Sequence, residues 1–271
     1  MRLNSVVIGA KFGSAEAEAA ARSAAARFLE RGCRVCVVSP VSVDGAEQAD
    51  TIEDLRGRRL DLAVTLGGDG TTLRTLRHLA DETPVLTINV GGNRGILSEI
   101  TLDQLDRAIA QMASGDIILE KRIRVAASYA GEEFPPALNE IYITRSNLTR
   151  TTNMTIKFQN DTVTQKMDGV MVSTPSGSTG HSFSLGGPIL HESLDVLIIT
   201  PVAPMYRLAS MVVPDDKIDI IPSHDCNIVM DAQVVKSAGY DETITIKKYR
   251  HRAVFVRLKR RGLRQMSKMG F

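Results

Sequence analysis

LAVTLGGDGTTLRTL, residues 62–76, joins an apolar run to a glycine-rich turn and the start of a helix. Leu62 to Leu66 is a short continuous apolar run, the pattern of a strand covered on both faces. Gly67-Gly68-Asp69-Gly70 interrupts it, and a helix begins at Thr71 and runs to about Ala80. The same alternation extends to both sides. SVVIGA (5–10) reads as a strand, and Ser14 caps an alanine-rich helix, Ala15 to Arg31, that Gly32 stops. Val35 to Val38 and PVLTIN (84–89) read as further strands. Thr101 with Gln104 is a capping-box start for a helix that Gly115 ends. Strands alternating with helices imply parallel pairing in an α/β, Rossmann-like domain.

Beyond Gly115 the texture changes. Short alternating runs appear at Arg122 to Ala126, Ile141 to Thr144, Met154 to Phe158, Thr162 to Lys166 and Val170 to Ser173. Others follow at Leu197 to Thr200, Ile218 to Ile221, Ile228 to Met230 and Thr243 to Ile246. Many short strands with little helix predict an all-β, sandwich-like C-terminal domain. The expected units are residues 1–110 and 111–249, with the change of texture falling near 100–118. The basic tail, 250–271, is able to return to the first domain. Its cations (Arg250, Arg252, Arg257, Lys259 to Arg261, Arg264) read as a solvated helix face or a subunit contact.

The 271 residues, 43% hydrophobic, suffice for one large domain or two modest ones. A net charge of +2 argues against a general nucleic-acid or membrane-surface binder. No run approaches the roughly 18 apolar residues of a membrane span, and no secretory signal is visible, so a cytoplasmic protein is expected. Cys33 and Cys36 form a Cys-x-x-Cys pair, but CRVCVV reads as a buried strand and no second pair completes a zinc site, so both are assigned to the core. His78, His191, His224 and His251 follow no metal-ligand spacing and read as surface or capping residues; no dedicated metal site is expected.

Three segments carry chemistry. Glycines at a strand-to-helix turn let the backbone approach a phosphate, and the helix N-terminus favours its charge. An acidic residue there would repel a phosphate; Asp69 makes sense if it holds a metal ion or accepts a proton from an attacking hydroxyl. The plainer reading is a tight turn with Asp69 as helix cap. DGVMVSTPSGSTGHSFSLGGPIL, residues 168–190, is dominated by hydroxyls and glycines and suits hydrogen bonding to a polar ligand. Pro175, Phe183 and Pro188 make it stiffer than a linker. Asn139-Glu140, after Pro135-Pro136 and before IYIT, is weak alone.

Together these segments resemble the NAD kinase family, from about Leu62 to Gln233. The turn Gly67 to Thr71, the pair Asn139-Glu140, the run Asp168 to Ile189, Ser193-Leu194-Asp195, Thr200-Pro201 and Asp231-Ala232-Gln233 match its motifs. The glycine turn is shared with lipid kinases and phosphofructokinases; the long Ser/Thr/Gly run is far more specific. The resemblance implies transfer of a phosphoryl group from ATP or polyphosphate to the 2′-hydroxyl of the adenosine ribose of NAD, with Mg²⁺ or another divalent cation. It implies Asp69 as catalytic base, with Gly68, Gly70, Thr71 and Arg74 near phosphates. Asn139 and Glu140 would bind ribose hydroxyls, and Lys166 and Asp168 would lie beside the substrate. Ser176 and the run Thr179, Gly180, His181, Ser182, Phe183, Ser184 would line the dinucleotide groove. Ala203 and Gln233 would complete it, across a subunit interface in a homodimer or homotetramer; Arg150 is a weaker transfer. The chain departs from the family at Gly180-His181, where Ala-Tyr is usual, at Ala232, where Gly is usual, and in the loop VGGNRGILSE, residues 90–99. The alternatives are a lipid or sugar kinase sharing the glycine turn, and a non-catalytic NADP sensor, which would not need Asp69 as a base.

Overall fold

The computed structural model describes residues 3–79, 82–92 and 95–259. The chain forms two compact units, residues 3–121 with 253–259, and residues 122–252.

The first unit begins with β1 (Ser5–Ala10), α1 (Ala15–Leu29), β2 (Arg34–Val38), β3 (Glu47–Ala49), β4 (Leu62–Leu66), α2 (Asp69–His78) and β5 (Pro84–Asn89). It continues with β6 (Ile100–Thr101), α3 (Leu105–Ser114) and β7 (Ile118–Arg122). The second unit supplies β8 (Val125–Tyr129), β9 (Glu132–Glu133), β10 (Glu140–Arg145), β11 (Thr152–Phe158), β12 (Asp161–Met167) and β13 (Gly169–Ser173). A 3₁₀ turn (Pro175–Thr179), the one-turn helix α4 (His181–Ser184), β14 (Val196–Val202), β15 (Met211–Pro214), β16 (Ile218–Pro222), β17 (Cys226–Met230), β18 (Val234–Ala238) and β19 (Ile244–Lys248) follow. The chain then returns to the first unit as β20 (Ala253–Arg257).

The first sheet runs β3-β2-β1-β4-β5-β20-β7, with β6 beside β5. Its pairings from β3 to β20 are parallel. All five residues of β4 are buried, as its unbroken apolar run requires. α1 starts on Ser14, whose hydroxyl accepts from Ala17 N at 3.3 Å. It buries Ala17, Ala20, Ala21, Ala24, Ala25 and Phe28, a stripe of small side chains that lets the helix lie close on the sheet. It stops at Leu29, two residues short of the expected end, because Glu30 caps it and Gly32 turns at φ 76°. Cys33 and Cys36 are buried, unbridged thiols raised in pKa by burial.

The tail corrects the sequence reading. Ala253 to Arg257 is a fully buried strand, not a solvated helix face. Arg257 is 1% exposed and lies within reach of Glu99 (3.4 Å) and Glu120 (3.0 Å). Arg252 pairs with Asp195, again not as a free surface cation. Arg261 and Arg264 lie outside the described residues, as does Ala80, the expected end of α2. His78 is likewise buried rather than on the surface; its Nε2–H donates to Glu53 at 3.1 Å, and burial lowers its pKa to about 4.

In the second unit two antiparallel sheets, β15-β14-β13-β10-β17-β18 and β12-β11-β16-β19-β8-β9, contribute to one apolar core. β11 shows the logic, with Thr152, Met154 and Ile156 buried in strict alternation. The strand expected over Arg122 to Ala126 is instead the end of β7 and the start of β8, divided at Ile123-Arg124. Arg124 is turned inward, its Nε donating to His251 O at 2.9 Å and its guanidinium stacked 4.9 Å from the Tyr249 ring.

Candidate functional site

In the first unit the site is built where β1 and β4 lie side by side. Their onward connections lead to opposite sides of the sheet order, to β2 in one direction and β5 in the other. Such a crevice at the carboxyl ends of parallel strands is where ligands of open α/β sheets bind. Lys11 leaves β1 there, its amide donating to Leu66 O at 2.8 Å, and Gly67 leaves β4, donating to Ile88 O at 3.0 Å. Gly67 has φ 148°, and a Cβ on it would sit 2.7 Å from Thr71 Oγ1 and 2.9 Å from Lys11 Cβ. Only glycine fits.

Gly68 caps α2, so Asp69, Gly70 and Thr71 form its first turn, at the positive end of the helix dipole, which favours anions; Thr71 N itself donates to Gly68 O at 3.1 Å. The Asp69 carboxylate accepts from Ile96 N through Oδ2 and from Leu97 N through Oδ1, both at 3.0 Å. A Cβ on Gly95 would lie 2.0 Å from Asp69 Oδ1, so that glycine exists to let the carboxylate in. The glycine turn and the loop 90–99 are therefore one construction, although Asn93 and Arg94 of that loop lie outside the described residues. Arg74, one turn beyond Gly70, is exposed and joins no ion pair among the described residues. Lys11 is exposed in the same way, and sequence reasoning missed it. Its position directly after a β1 strand that leads to a helix was the available signal.

In the second unit Asp231 organises the site. Its Oδ1 accepts from Asn139 N at 2.8 Å and its Oδ2 from Leu138 N at 3.1 Å. Thr174 N donates to Asn139 O at 2.8 Å, and the Thr174 hydroxyl donates to Leu138 O. The same hydroxyl oxygen accepts from Ser176 N at 3.1 Å, fixing the turn at Pro175–Thr179. Gly177 lies against Asn139, where a Cβ would come within 2.3 Å of the carbonyl oxygen. The Asn-Glu pair, the Ser/Thr/Gly run and the Asp-Ala-Gln motif, distant in sequence, thus interlock.

Glu140 opens β10 and is 6% exposed. Burial, and then the charge of Asp231, push its pKa up to about 8. Ser176 is buried, with Arg122 3.4 Å from its Oγ; the Thr179 hydroxyl is buried and unpartnered among the described residues. Gly180, His181, Phe183 and Ser184 are exposed. The His181 ring meets Tyr142 edge to face at 5.6 Å. Ser182 is turned inward, its hydroxyl 3.0 Å from that of Thr200, which closes the turn from below.

Lys166, Asp168 and Ala203 gather at the other end of β10. The register sets Glu140 opposite Ser173 and Thr144 opposite Gly169, so this group lies roughly 15 Å along the strand from Glu140. Asp168 N donates to Val202 O at 2.9 Å and Met205 N to Lys166 O at 2.8 Å, which brackets Ala203, itself at φ 47°. Lys166 is exposed. The Asp168 carboxylate is gripped by Arg145, Nε to Oδ1 and Nη2 to Oδ2 both at 3.1 Å. Arg145, not Arg150, is therefore the cation beside Asp168; Arg150 is exposed and contributes its carbonyl to the Arg145 guanidinium at 3.4 Å. Gln233 is exposed beyond Asp231 and Ala232, which both adopt positive φ. Among the described residues no three His, Cys, Asp or Glu side chains form a metal cage.

A parallel α/β unit with a carboxylate in its glycine turn, joined to a β unit with an interlocked hydroxyl-rich turn, defines a phosphotransferase that handles nucleotides. The sequence profile of the ATP-NAD kinase N-terminal domain matches residues 6–117, and that of the ATP-NAD kinase C-terminal domain matches residues 138–258. The chain belongs to the NAD kinase family. It is 30% identical to an NAD kinase of Methanothermobacter thermautotrophicus over 92% of this chain and 90% of that protein. An NAD kinase of Methanopyrus kandleri is 32% identical, over 86% and 88%. Among solved structures, an NAD kinase from Archaeoglobus fulgidus in complex with ATP superposes with a TM-score of 0.76 at 28% identity, covering 99% of this chain and 98% of that one. A yeast NADH kinase complexed with NADH gives a TM-score of 0.87 over 99% and 88%; at 21% identity it speaks to the fold alone.

Proposed function

We propose that the chain transfers the terminal phosphoryl group of ATP, or of a related polyphosphate, to the 2′-hydroxyl of the adenosine ribose of NAD. The observation that carries this reading is Asp69, a carboxylate placed in a glycine turn near Lys11 and Arg74, exposed cations that join no ion pair among the described residues. A carboxylate repels the phosphate that such a turn favours, which sets Asp69 to accept a proton there rather than to bind the anion. In the reaction the ribose oxygen bonds to the terminal phosphorus, and the bond from that phosphorus to the bridging oxygen breaks. ADP leaves with the electron pair, and Asp69 takes the hydroxyl proton. The cations and the N-terminal end of α2 offset the phosphate charge.

Asp69 is a hard oxygen donor of the kind Mg²⁺ takes. With phosphates supplying most of the oxygens, this donor set fits Mg²⁺, which would neutralise donor charge when bound. Asn139, Glu140, Ser176 and the exposed residues of Thr179 to Ser184 are assigned to NAD. The roughly 15 Å between Glu140 and the Lys166–Asp168–Ala203 group supports a homo-oligomer in which that group, with Gln233, completes a neighbouring site. The exposed Met205 and Tyr206 beside it support the same reading. The strand order β3-β2-β1-β4-β5 supports a Rossmann-like first domain, and the shared core a sandwich-like second.

The test supplies purified protein with Mg²⁺, NAD or NADH, and ATP or polyphosphate in turn, and reads the product with an enzyme specific for 2′-phosphorylated NADP. Asp69→Asn should lower turnover at least about 10²-fold while NAD affinity stays within a few-fold. Near-normal turnover in the folded variant removes Asp69 as base; phosphorylation of a lipid or sugar with NAD untouched removes the reaction.

A further inference from the structure

A cavity of about 520 Å³ opens in the first unit at the amino ends of its strands, the end of the sheet away from the glycine turn. It is lined from the starts of β1, β2 and β3 and from the segment that leads into β4. Ser5 and Lys11 bracket β1, so roughly 20 Å of strand separates this cavity from the proposed chemistry. Three arginines line it: Arg34 at the start of β2, and Arg58 and Arg59 before β4. Arg58 is held in place. Its Nε donates to Asp54 O at 3.0 Å, and its Nη1 pairs with Glu47 and reaches Cys36 Sγ at 3.7 Å. Its Nη2 has no partner among the described residues. The exposed side chains of Arg34 and Arg59 have none there either.

The neighbouring carboxylates are already engaged. Glu47, the one acidic residue of the lining among the described residues, is taken by Arg58. Asp61, next to the lining residue Leu60, accepts from Asn4 N at 2.7 Å and Ser5 N at 2.9 Å, and Asp54 accepts from Thr51 N at 2.9 Å. An excess of positive charge is therefore left on a concave surface. Guanidinium groups present planar forks of N–H that match the oxygens of anions. A phosphate monoester has three terminal oxygens for three guanidiniums, where a carboxylate has two. Val6, Val35 and Leu60 add an apolar part to the lining. The volume falls within the ~300–1,000 Å³ of pockets that take a whole small molecule, and a bare phosphate would leave most of it empty. We propose that this cavity binds a small organic phosphate monoester, its dianionic head on Arg34, Arg59 and Arg58 Nη2 and its apolar body against Val6, Val35 and Leu60. The site goes beyond the proposed reaction, since it shares no residue with the glycine turn and lies at the other end of the same strands. A ligand held there stabilises the folded chain without entering the chemistry.

The test titrates the full chain at low ionic strength with phenyl phosphate, inorganic phosphate and benzyl alcohol, while NMR follows the amides of Val35, Cys36 and Leu60. Phenyl phosphate should shift these amides and bind at least about tenfold more tightly than inorganic phosphate, and benzyl alcohol should shift none of them. Arg34→Gln with Arg59→Gln should weaken phenyl phosphate at least about tenfold. Arg22→Gln with Arg107→Gln removes the same charge from exposed positions outside the cavity and should leave that affinity within twofold. Lys11→Gln with Arg74→Gln should leave the shifts in place, which keeps this site distinguishable from the glycine turn. Shifts confined to the glycine turn overturn the proposal. Equal losses in the Arg34/Arg59 and Arg22/Arg107 variants overturn it too, because general charge then accounts for binding, and so does equal affinity for phenyl and inorganic phosphate.

Discussion

Asp231→Asn isolates the network on which the second unit's site depends. The carboxylate is 4% exposed and receives two backbone amides, Asn139 N at 2.8 Å and Leu138 N at 3.1 Å. Asparagine keeps the shape and tolerates the left-handed backbone of residue 231, at φ 49°, but it offers one acceptor oxygen and turns an NH₂ toward the second amide. One charge-assisted bond is lost and one buried donor left facing a donor, at a cost of about 2–4 kcal/mol. Asp231→Ala forfeits both bonds and should cost about 3–5 kcal/mol. The amides of Leu138 and Asn139 precede Glu140 directly, so loss of their anchor should also loosen the proposed ribose contact and weaken NAD at least tenfold. Urea unfolding measures the first effect, amide hydrogen exchange at Leu138 and Asn139 locates it, and titration with NAD measures the second. If Asp231→Asn leaves stability within about 0.5 kcal/mol and those amides still protected, the interlocking described above does not organise the site.

Ala232→Gly should stabilise the chain by about 0.5–1 kcal/mol in urea melts, because Ala232 is exposed at φ 53°, where a Cβ is strained and glycine is not; a loss of stability would refute this. Glu140 holds a proton up to about pH 8 when folded, against an ordinary 4.5. Its contribution is full below about pH 4.5 and is lost as pH rises through 8, with a slope of roughly 1.4 kcal/mol per unit, and Glu140→Gln should flatten that decline. His78 acts in the opposite sense: with its folded pKa near 4 against 6.5, its contribution is full above pH 6.5 and lost as pH falls through 4. His78→Gln should therefore blunt acid unfolding between pH 6.5 and 4; identical acid limbs in thermal melts would show that the buried imidazole is not the sensor.

What the sequence announced and what it hid differ by where the signal resides. β4 and its glycine turn were plain because an apolar run ends in residues with one conformational purpose. β20 was hidden because a buried arginine in AVFVR looks, in sequence, like the start of a basic tail; only its carboxylates, Glu99 and Glu120, make it a core residue. β3 (EQA) and β7 (ILEKR) are too polar to stand out as strands. Arg145 was overlooked because it follows the apolar alternation of β10, while the arginine weighed from the resemblance, Arg150, lies in the loop beyond. Asp231 was seen as a motif, but that its carboxylate anchors residues 92 and 93 positions earlier could come only from the register of β10 on β17.

The same long-range bookkeeping explains how Asp69 is held. Its carboxylate accepts from the amides of Ile96 and Leu97, so its orientation depends on that loop. The loop is in turn fixed from behind: Leu97 O accepts from Thr87 Oγ1 at 2.6 Å and from Arg257 Nη1 at 3.0 Å, and Glu99 Oε1 accepts from Leu258 N at 2.9 Å. Leu97 thus has its amide on the proposed base and its carbonyl on the returning strand. A buried guanidinium deprived of its partners costs about 3–5 kcal/mol, so the arrangement is held cooperatively or not at all. β20 thus joins the first sheet and, through the single residue Leu97, sets the carboxylate on which the proposed chemistry turns.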